Sequence, residues 1–550
     1  MNTLAVVHRG RDGDCFPLDP CTFRIRISVA RDDFDRIELC YAMNKYRWDQ
    51  ERKTVPLIKV NTDRERDYYQ ADISGRDTRL AYIFLLYQGE DLFFFSEEGL
   101  SRQYAFEYGH YTYFQYPFIH ACDVHRVVSW ADTAVMYQIF PERFACGLGG
   151  KDYVNTPWDA RPAPKSFYGG DLAGIEQHLG YLQDLGVNCV YLTPVHPSPS
   201  NHKYDVTDYE TVDAAFGGEI AFRSLIKAVH SRGMRLMLDG VFNHCSERFG
   251  PFQDVLCKGK DSVYRHWFLI DGECINQART NYRMFGSVPY MPKLNTGHPE
   301  VIEHFCAIGA RWVRDYHIDG WRLDVMDEIS DAFIRSFRVA VKRENPDALI
   351  LGEAWHQSGH WLKGDQLDGV MNYALTKALM DCLANRTLDA QGLAERLIRI
   401  QAGIPPNSAR MMMNLIGSHD THRFLTLVKG DKRLMKLALC ILFFYVGIPC
   451  VYYGDEVGME GGYDPDCRRG FPWDERRWDH SLRALVQTLC RLRTDGCLAG
   501  DEISIRADGH ILRITRPRAR LLLNLSDYPE SFAADGETDR MDAWEYRIKA

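Results

Sequence analysis

GWRLDVMDEISDAFIRSFRVAVKRENPDALILGEA, residues 320–354, is the stretch on which the fold turns. It opens on a short apolar run, GWRLDV (320–325), and closes on another, LILGEA (349–354). Between them, Glu328 to Arg343 carries a helical pattern. Strand, helix, strand at this spacing is a parallel crossover unit.

The unit repeats outward in both directions. Upstream lie VMYQI (135–139), a helical segment from Leu172 to Leu185, NCVYLT (188–193), a helix from Ile220 to Arg232 closed by Gly233, and RLMLDG (235–240). A helix from Pro299 to His317 then places Val301, Phe305, Ile308 and Trp312 on one face. Downstream follow GVMNY (369–373), MMMNLIGSHD (411–420) and IPCVYYGDE (448–456). Eight strand-like runs alternating with helices predict an α/β fold, a (β/α)8 TIM barrel over residues 126–498. A segment rich in aromatics and glycine, about 244–298, predicts a small excursion domain after strand three.

The flanks have another texture. In residues 1–125, Phe23, Ile25, Ile27 and Val29 alternate with Arg24, Arg26 and Ser28, and Leu80, Tyr82, Phe84 and Leu86 repeat the pattern. Period-2 alternation with Asp, Gly and Asn turns predicts an N-terminal β-sandwich, its aromatics mostly core. ILRITR (511–516), LLLNLS (521–526) and WEYRIK (544–549) predict a short C-terminal β domain over 499–550.

A 550-residue chain with 45% hydrophobic and 26% charged residues is a globular enzyme by composition. Its net charge of −9, without a dense Lys/Arg stripe, argues against nucleic acid as partner. The longest apolar run near the C-terminal third, Leu437–Val446, is too short to cross a bilayer and reads as a buried helix. The N-terminus carries no basic stretch followed by an apolar one. The 16 cysteines lie without CxxC pairing. Free thiols in a reducing, cytoplasmic setting are the expectation.

Polar residues gather where a barrel keeps its active site, at the C-terminal ends of the strands. Strand three ends in Asp239, Asn243 and His244, strand four holds Arg322 and Asp324, strand five ends in Glu353, and strand seven ends in His419 and Asp420. A carboxylate at a buried strand end is costly unless something uses it. Arg322 and Asp324 are two apart and point to one side, so the guanidinium is placed to keep Asp324 ionised. Without HxH or HExxH spacing, no metal is assigned to these residues.

DGVFNH (239–244), GWRLDV (320–325), GEAWH (352–356) and GSHDTHR (417–423) resemble, in order and spacing, the four short regions of the α-amylase family of retaining glycoside hydrolases. The resemblance implies Asp324 as nucleophile, Glu353 as general acid/base and Asp420 as transition-state stabiliser. It implies Asp239, His244, Arg322 and His419 around the reacting glucose, with Tyr204 of SNHKYDVTDY (200–209) stacked on it. Trp355 and Glu328 are added as substrate-binding candidates.

MPKLN (291–295), PSPSNHKYD (197–205) and YYGDEVGMEGGYDPDCRR (452–469) resemble the neopullulanase, cyclomaltodextrinase and maltogenic amylase group. That group implies an N-terminal sandwich and a homodimer. It also implies cyclodextrins, pullulan and short maltooligosaccharides as substrates, with α-1,6 cleavage and transglycosylation left open. The alternatives are an oligo-α-glucosidase and a non-catalytic glycan-binding protein. Two departures stand out. After the nucleophile the group usually has Val-Ala-Asn-Glu; here Met326 and Asp327 replace Ala and Asn, which puts the acceptor side in question. The loop RFACGLGGKDYVN (143–155), which binds calcium in the group, has Cys146 and Leu148 where oxygen ligands are usual. With only Asp152 and Asp171 left, calcium is expected to bind weakly or not at all, and no cofactor is required.

Overall fold

The computed structural model describes residues 2–534 and 537–550; Met1 and residues 535–536, within the C-terminal range, lie outside it. Its centre is an eight-stranded parallel sheet: β1 (Met136–Ile139), β2 (Cys189–Leu192), β3 (Arg235–Gly240), β4 (Gly320–Leu323), β5 (Leu349–Gly352), β6 (Gly369–Val370), β7 (Met413–Asn414) and β8 (Ile448–Tyr452). The spatial order is β6-β5-β4-β3-β2-β1-β8-β7, and a parallel bridge between Met371 and Met413 closes the ring. The predicted barrel is therefore present, with strands of two to six residues.

Strand parity sorts the side chains. Met136, Cys189, Tyr191, Met237, Leu349, Leu351, Ile448 and Cys450 point inward and pack on one another as the barrel's interior. Tyr137, Ile139, Val190, Leu192, Leu236, Leu238, Trp321 and Ile350 point outward against the helices. The Pro299–Tyr316 helix returns Val301, Phe305, Ile308 and Trp312 to that outer core. The run Leu437–Val446 belongs to the helix Lys432–Phe444 and the turn after it, buried throughout.

Two helix readings change. The segment 172–185 splits into Leu172–Gln177 and Leu179–Leu185. At the junction the His178 ring packs tilted against Trp473, centroids 3.7 Å apart, and its Nδ1 pairs with the Gly174 carbonyl. The helix expected from Glu328 begins at Asp331 instead, because Ser330 caps it by accepting the Phe333 N–H.

Two antiparallel sheets form the N-terminal sandwich, and Phe23, Ile25, Ile27 and Val29 of one face Leu80, Tyr82, Phe84 and Leu86 of the other. It docks on the barrel through Arg399 and Asp63 (3.0 Å) and through Asn407, which donates to the Leu18 carbonyl (3.2 Å). After β3 the chain makes a short excursion, with a helix at Gly250–Lys258, before returning to the Pro299–Tyr316 helix. Four strands from Ser504 to Lys549 and a separate hairpin (Glu530–Ala534, Glu537–Met541) form the C-terminal β domain. Among the described residues no helix is long and apolar enough to cross a membrane.

Candidate active site

The inward parity that builds the barrel core continues one step further at its mouth. Gln138 on β1, Tyr191 on β2, Asp239 on β3 and Arg322 on β4 occupy inward positions at the top layer, and Asp324 and Glu353 follow just beyond β4 and β5. Close-packed apolar residues below leave these groups facing only each other and the cleft.

Arg322 is the hub. Its Nη1 donates to both oxygens of Asp239 (2.9 Å each) and to Asp324 Oδ1 (2.8 Å). Its Nη2 lies 2.9 Å from Glu353 Oε2 as an ion-pair contact without hydrogen-bond geometry. The two terminal nitrogens of one guanidinium thus hold the Asp324 and Glu353 carboxylates side by side. Glu353 is further oriented by the Val325 N–H (2.9 Å) and the Trp355 indole N–H (3.0 Å). Val325 sits at φ +46°, a left-handed conformation that a β-branched residue adopts only under strain. That turn aims its N–H back at the Glu353 carboxylate and so couples the ends of β4 and β5.

One guanidinium serves three carboxylates. Burial pushes the Asp324 carboxyl well above its usual range. Arg322 opposes the rise, but Glu353, Asp239 and Asp420 add to it. Arg322 is thus the partner that favours the ionised form of Asp324, acting against burial and the neighbouring carboxylates. Asp239 is also raised by burial against Arg322, and its oxygens are wired to Arg322, Tyr191 (2.6 Å) and Tyr204 (2.9 Å). It is fully buried behind the ring of groups that face the cleft.

A second chain runs from β1 to β7. Gln138 Nε2 donates to His419 Nδ1 (2.8 Å), which leaves the proton on His419 Nε2. That nitrogen faces the Tyr204 hydroxyl (2.6 Å) and Asp420 Oδ2 (3.1 Å), and Tyr204 passes its own proton toward Asp239. Burial, with Arg468 and Arg322 nearby, keeps His419 neutral by pushing its pKa far down. Asp420 is also contacted by Arg468 (3.2 Å), whose Nε holds the His419 carbonyl. His244 stacks on Phe285, and burial together with Lys293 and His202 pushes its pKa down to about 3. Asn243 Nδ2 lies 3.4 Å from its Nδ1, which leaves the proton on Nε2, a buried donor without a protein partner.

The remaining candidates lie at the rim. Trp355 is 44% exposed and stacks flat on Tyr373, centroids 3.7 Å apart. Glu328 is exposed and paired with Lys293 (2.8 Å). Asp327 is likewise exposed, whereas Met326 is fully buried against Gly352. Of the two departures after Asp324, only Asp327 presents its side chain at the rim, because that of Met326 turns into the core behind β4 and β5. Sequence reasoning missed Gln138, Tyr191 and Arg468. Gln138 and Tyr191 carried a signal, as polar residues at inward parity; Arg468 comes from a distant loop and carried none.

The family described as "Alpha amylase, catalytic domain" matches residues 138–491, and "Alpha amylase, N-terminal ig-like domain" matches residues 1–120. The chain is 43% identical over 502 residues to a cyclomaltodextrinase from Bacillus sp, covering 89% of this chain and 88% of that one. It is 42% identical over 497 residues to neopullulanase 2 of Thermoactinomyces vulgaris, covering 89% and 84%. A solved cyclomaltodextrinase structure superposes with a TM-score of 0.91 at 40% identity over 97% of this chain and 93% of the other. The carboxylate pair on Arg322, the barrel that carries it and these likenesses agree: the chain belongs to the alpha-amylase family of glycoside hydrolases, in the group that includes the cyclomaltodextrinases, neopullulanases and maltogenic amylases.

Proposed function

We propose that this enzyme hydrolyses α-1,4-glucosidic bonds in cyclodextrins, pullulan and short maltooligosaccharides with retention at the anomeric carbon. The observation that supports retention is the placement of Asp324 and Glu353 on the two terminal nitrogens of Arg322, which keeps the carboxyls close enough for one to attack while the other transfers a proton. In the first step Asp324 attacks the anomeric carbon as Glu353 gives its proton to the glycosidic oxygen, and the C–O bond breaks. In the second, Glu353 takes a proton from water, whose oxygen attacks the same carbon and releases Asp324. Asp420 and the His244 Nε2–H are positioned to bind hydroxyls of the distorted ring. Asp239, Tyr191, Tyr204 and Gln138 hold the reacting groups in place.

Substrate class rests on the named relatives. Homodimerisation and a cytoplasmic setting are part of the same reading; all 16 cysteines are free thiols, which supports the latter. Product analysis on β-cyclodextrin, pullulan and soluble starch tests the substrate assignment, with Asp324→Asn as the blank. Cyclodextrin is expected to be cleaved faster than starch, with initial products in the α configuration by NMR. Much faster starch cleavage sinks the substrate class, and β products sink the mechanism. Light scattering at working concentration is expected to give twice the chain mass.

A further inference from the structure

We infer that the Lys151 ammonium is the built-in cation of the loop that follows β1, and that this loop holds its shape without calcium. The resemblance implies a calcium ion at 143–155, and the residues present do not fit one. Lys151 Nζ donates to Asp171 Oδ2 (2.6 Å) and to the Gly169 carbonyl (2.6 Å), and its side chain is only 9% exposed. Asp171 is fully buried and has little capacity left for a metal. Its oxygens also accept the N–H groups of Gly147 (3.0 Å), Leu148 (2.9 Å) and Gly174 (2.6 Å), the last as the N-cap of the helix Leu172–Gln177. Asp152 points out to solvent. Cys146 puts a thiol, 3.2 Å from the Leu148 carbonyl, into the same turn. A hard divalent cation asks for about six to eight oxygens, and this loop offers a carboxylate already saturated by four donors. Among the described residues no three His, Cys, Asp or Glu side chains converge as a metal-holding group.

The ammonium does the work of a single positive charge with directed donors. It ties 147–151 to 169–174, two segments separated by an irregular stretch, through one buried ion pair and one carbonyl. The segment at the base of this loop also holds Arg143, which donates to the carbonyl of Arg468, the residue that contacts Asp420. Lys151 is thus a stabilising residue one step removed from the site.

The test is made on the full chain. Elemental analysis is expected to find no stoichiometric calcium in protein purified without chelator. EDTA or added calcium is expected to leave the thermal midpoint of the wild type where it is. Lys151→Met, similar in length and uncharged, is expected to lower that midpoint by several degrees, and Lys151→Arg by less, since it keeps the charge. One calcium per chain, a fall in the wild-type midpoint with EDTA, or a Lys151→Met midpoint equal to wild type overturns the inference. Should Lys151→Met not fold, the wild-type metal content and EDTA response still decide it.

Discussion

Asp324 and Asp368 are both buried aspartates at the ends of barrel strands, and they sit at opposite ends of the barrel. Asp324 lies at the mouth, beyond β4, where one guanidinium is divided among Asp239, Asp324 and Glu353. Asp368 lies at the foot, before β6, where one carboxylate is surrounded by Arg338 (2.7 Å), Lys342 (2.7 Å) and His125 (3.4 Å) and also accepts the Ile350 N–H (2.9 Å). Burial pushes both carboxyls up. At Asp368 the cations overwhelm burial and hold the carboxyl well below its usual range, while at Asp324 crowding by like charges leaves it well above. The ratio of charges decides the sign, and it separates the end of the barrel that does chemistry from the end that holds it together.

Paired substitutions separate the two ends of the barrel. Asp324→Asn is expected to cut kcat by roughly 10⁴-fold or more, as loss of a covalent nucleophile does, while leaving the thermal midpoint equal or higher because a crowded charge is gone. A residual rate near wild type, or a large fall in the midpoint, breaks it. Asp368→Asn is expected to do the reverse, costing about 3–5 kcal/mol by stranding buried cations while the kcat of folded protein stays close to wild type. Denaturant titration beside kinetics reads both.

The pH dependence follows from the same signs. The folded pKa of Asp368 is depressed, so its stabilisation is fully present above the usual carboxylate value of 3.8 and is lost as pH falls through the lower folded value. Acid unfolding of Asp368→Asn is expected to be flatter below pH 3.8 than that of the wild type. An identical acid limb breaks the assignment.

Smaller effects probe the positioning chain at the mouth. Gln138→Leu removes the donor that sets the His419 tautomer and is expected to lower kcat/KM by about 10–100-fold with little change in stability. Rescue in Gln138→Asn sharpens the hydrogen-bond account; equal loss in both points to packing. Asp327→Asn, at the exposed rim, is expected to change kcat by less than about threefold, its effect appearing in the ratio of transfer to hydrolysis products.

Much of this was legible in the chain. Alternating strand and helix patterns specify a parallel barrel because periodicity is local, and parity then places Asp239, Arg322, Asp324 and Glu353 at one mouth. What stayed out of reach depends on neighbours far away in sequence. That Arg322 is shared among three carboxylates requires knowing that β3, β4 and β5 are adjacent. That Met326 turns into the core requires the left-handed turn at Val325. Arg468 reaches Asp420 from a loop 48 residues away.

The order of the elements, the inward or outward parity of each strand residue and the chemical types gathered at the barrel mouth are all written in the chain. All of these follow from hydrophobic periodicity, which any short window carries. The sharing of Arg322 among three carboxylates, the tautomer of His419 and the seating of Lys151 on Asp171 arise only on folding, because electrostatic energy depends on distances between segments that the chain then brings together.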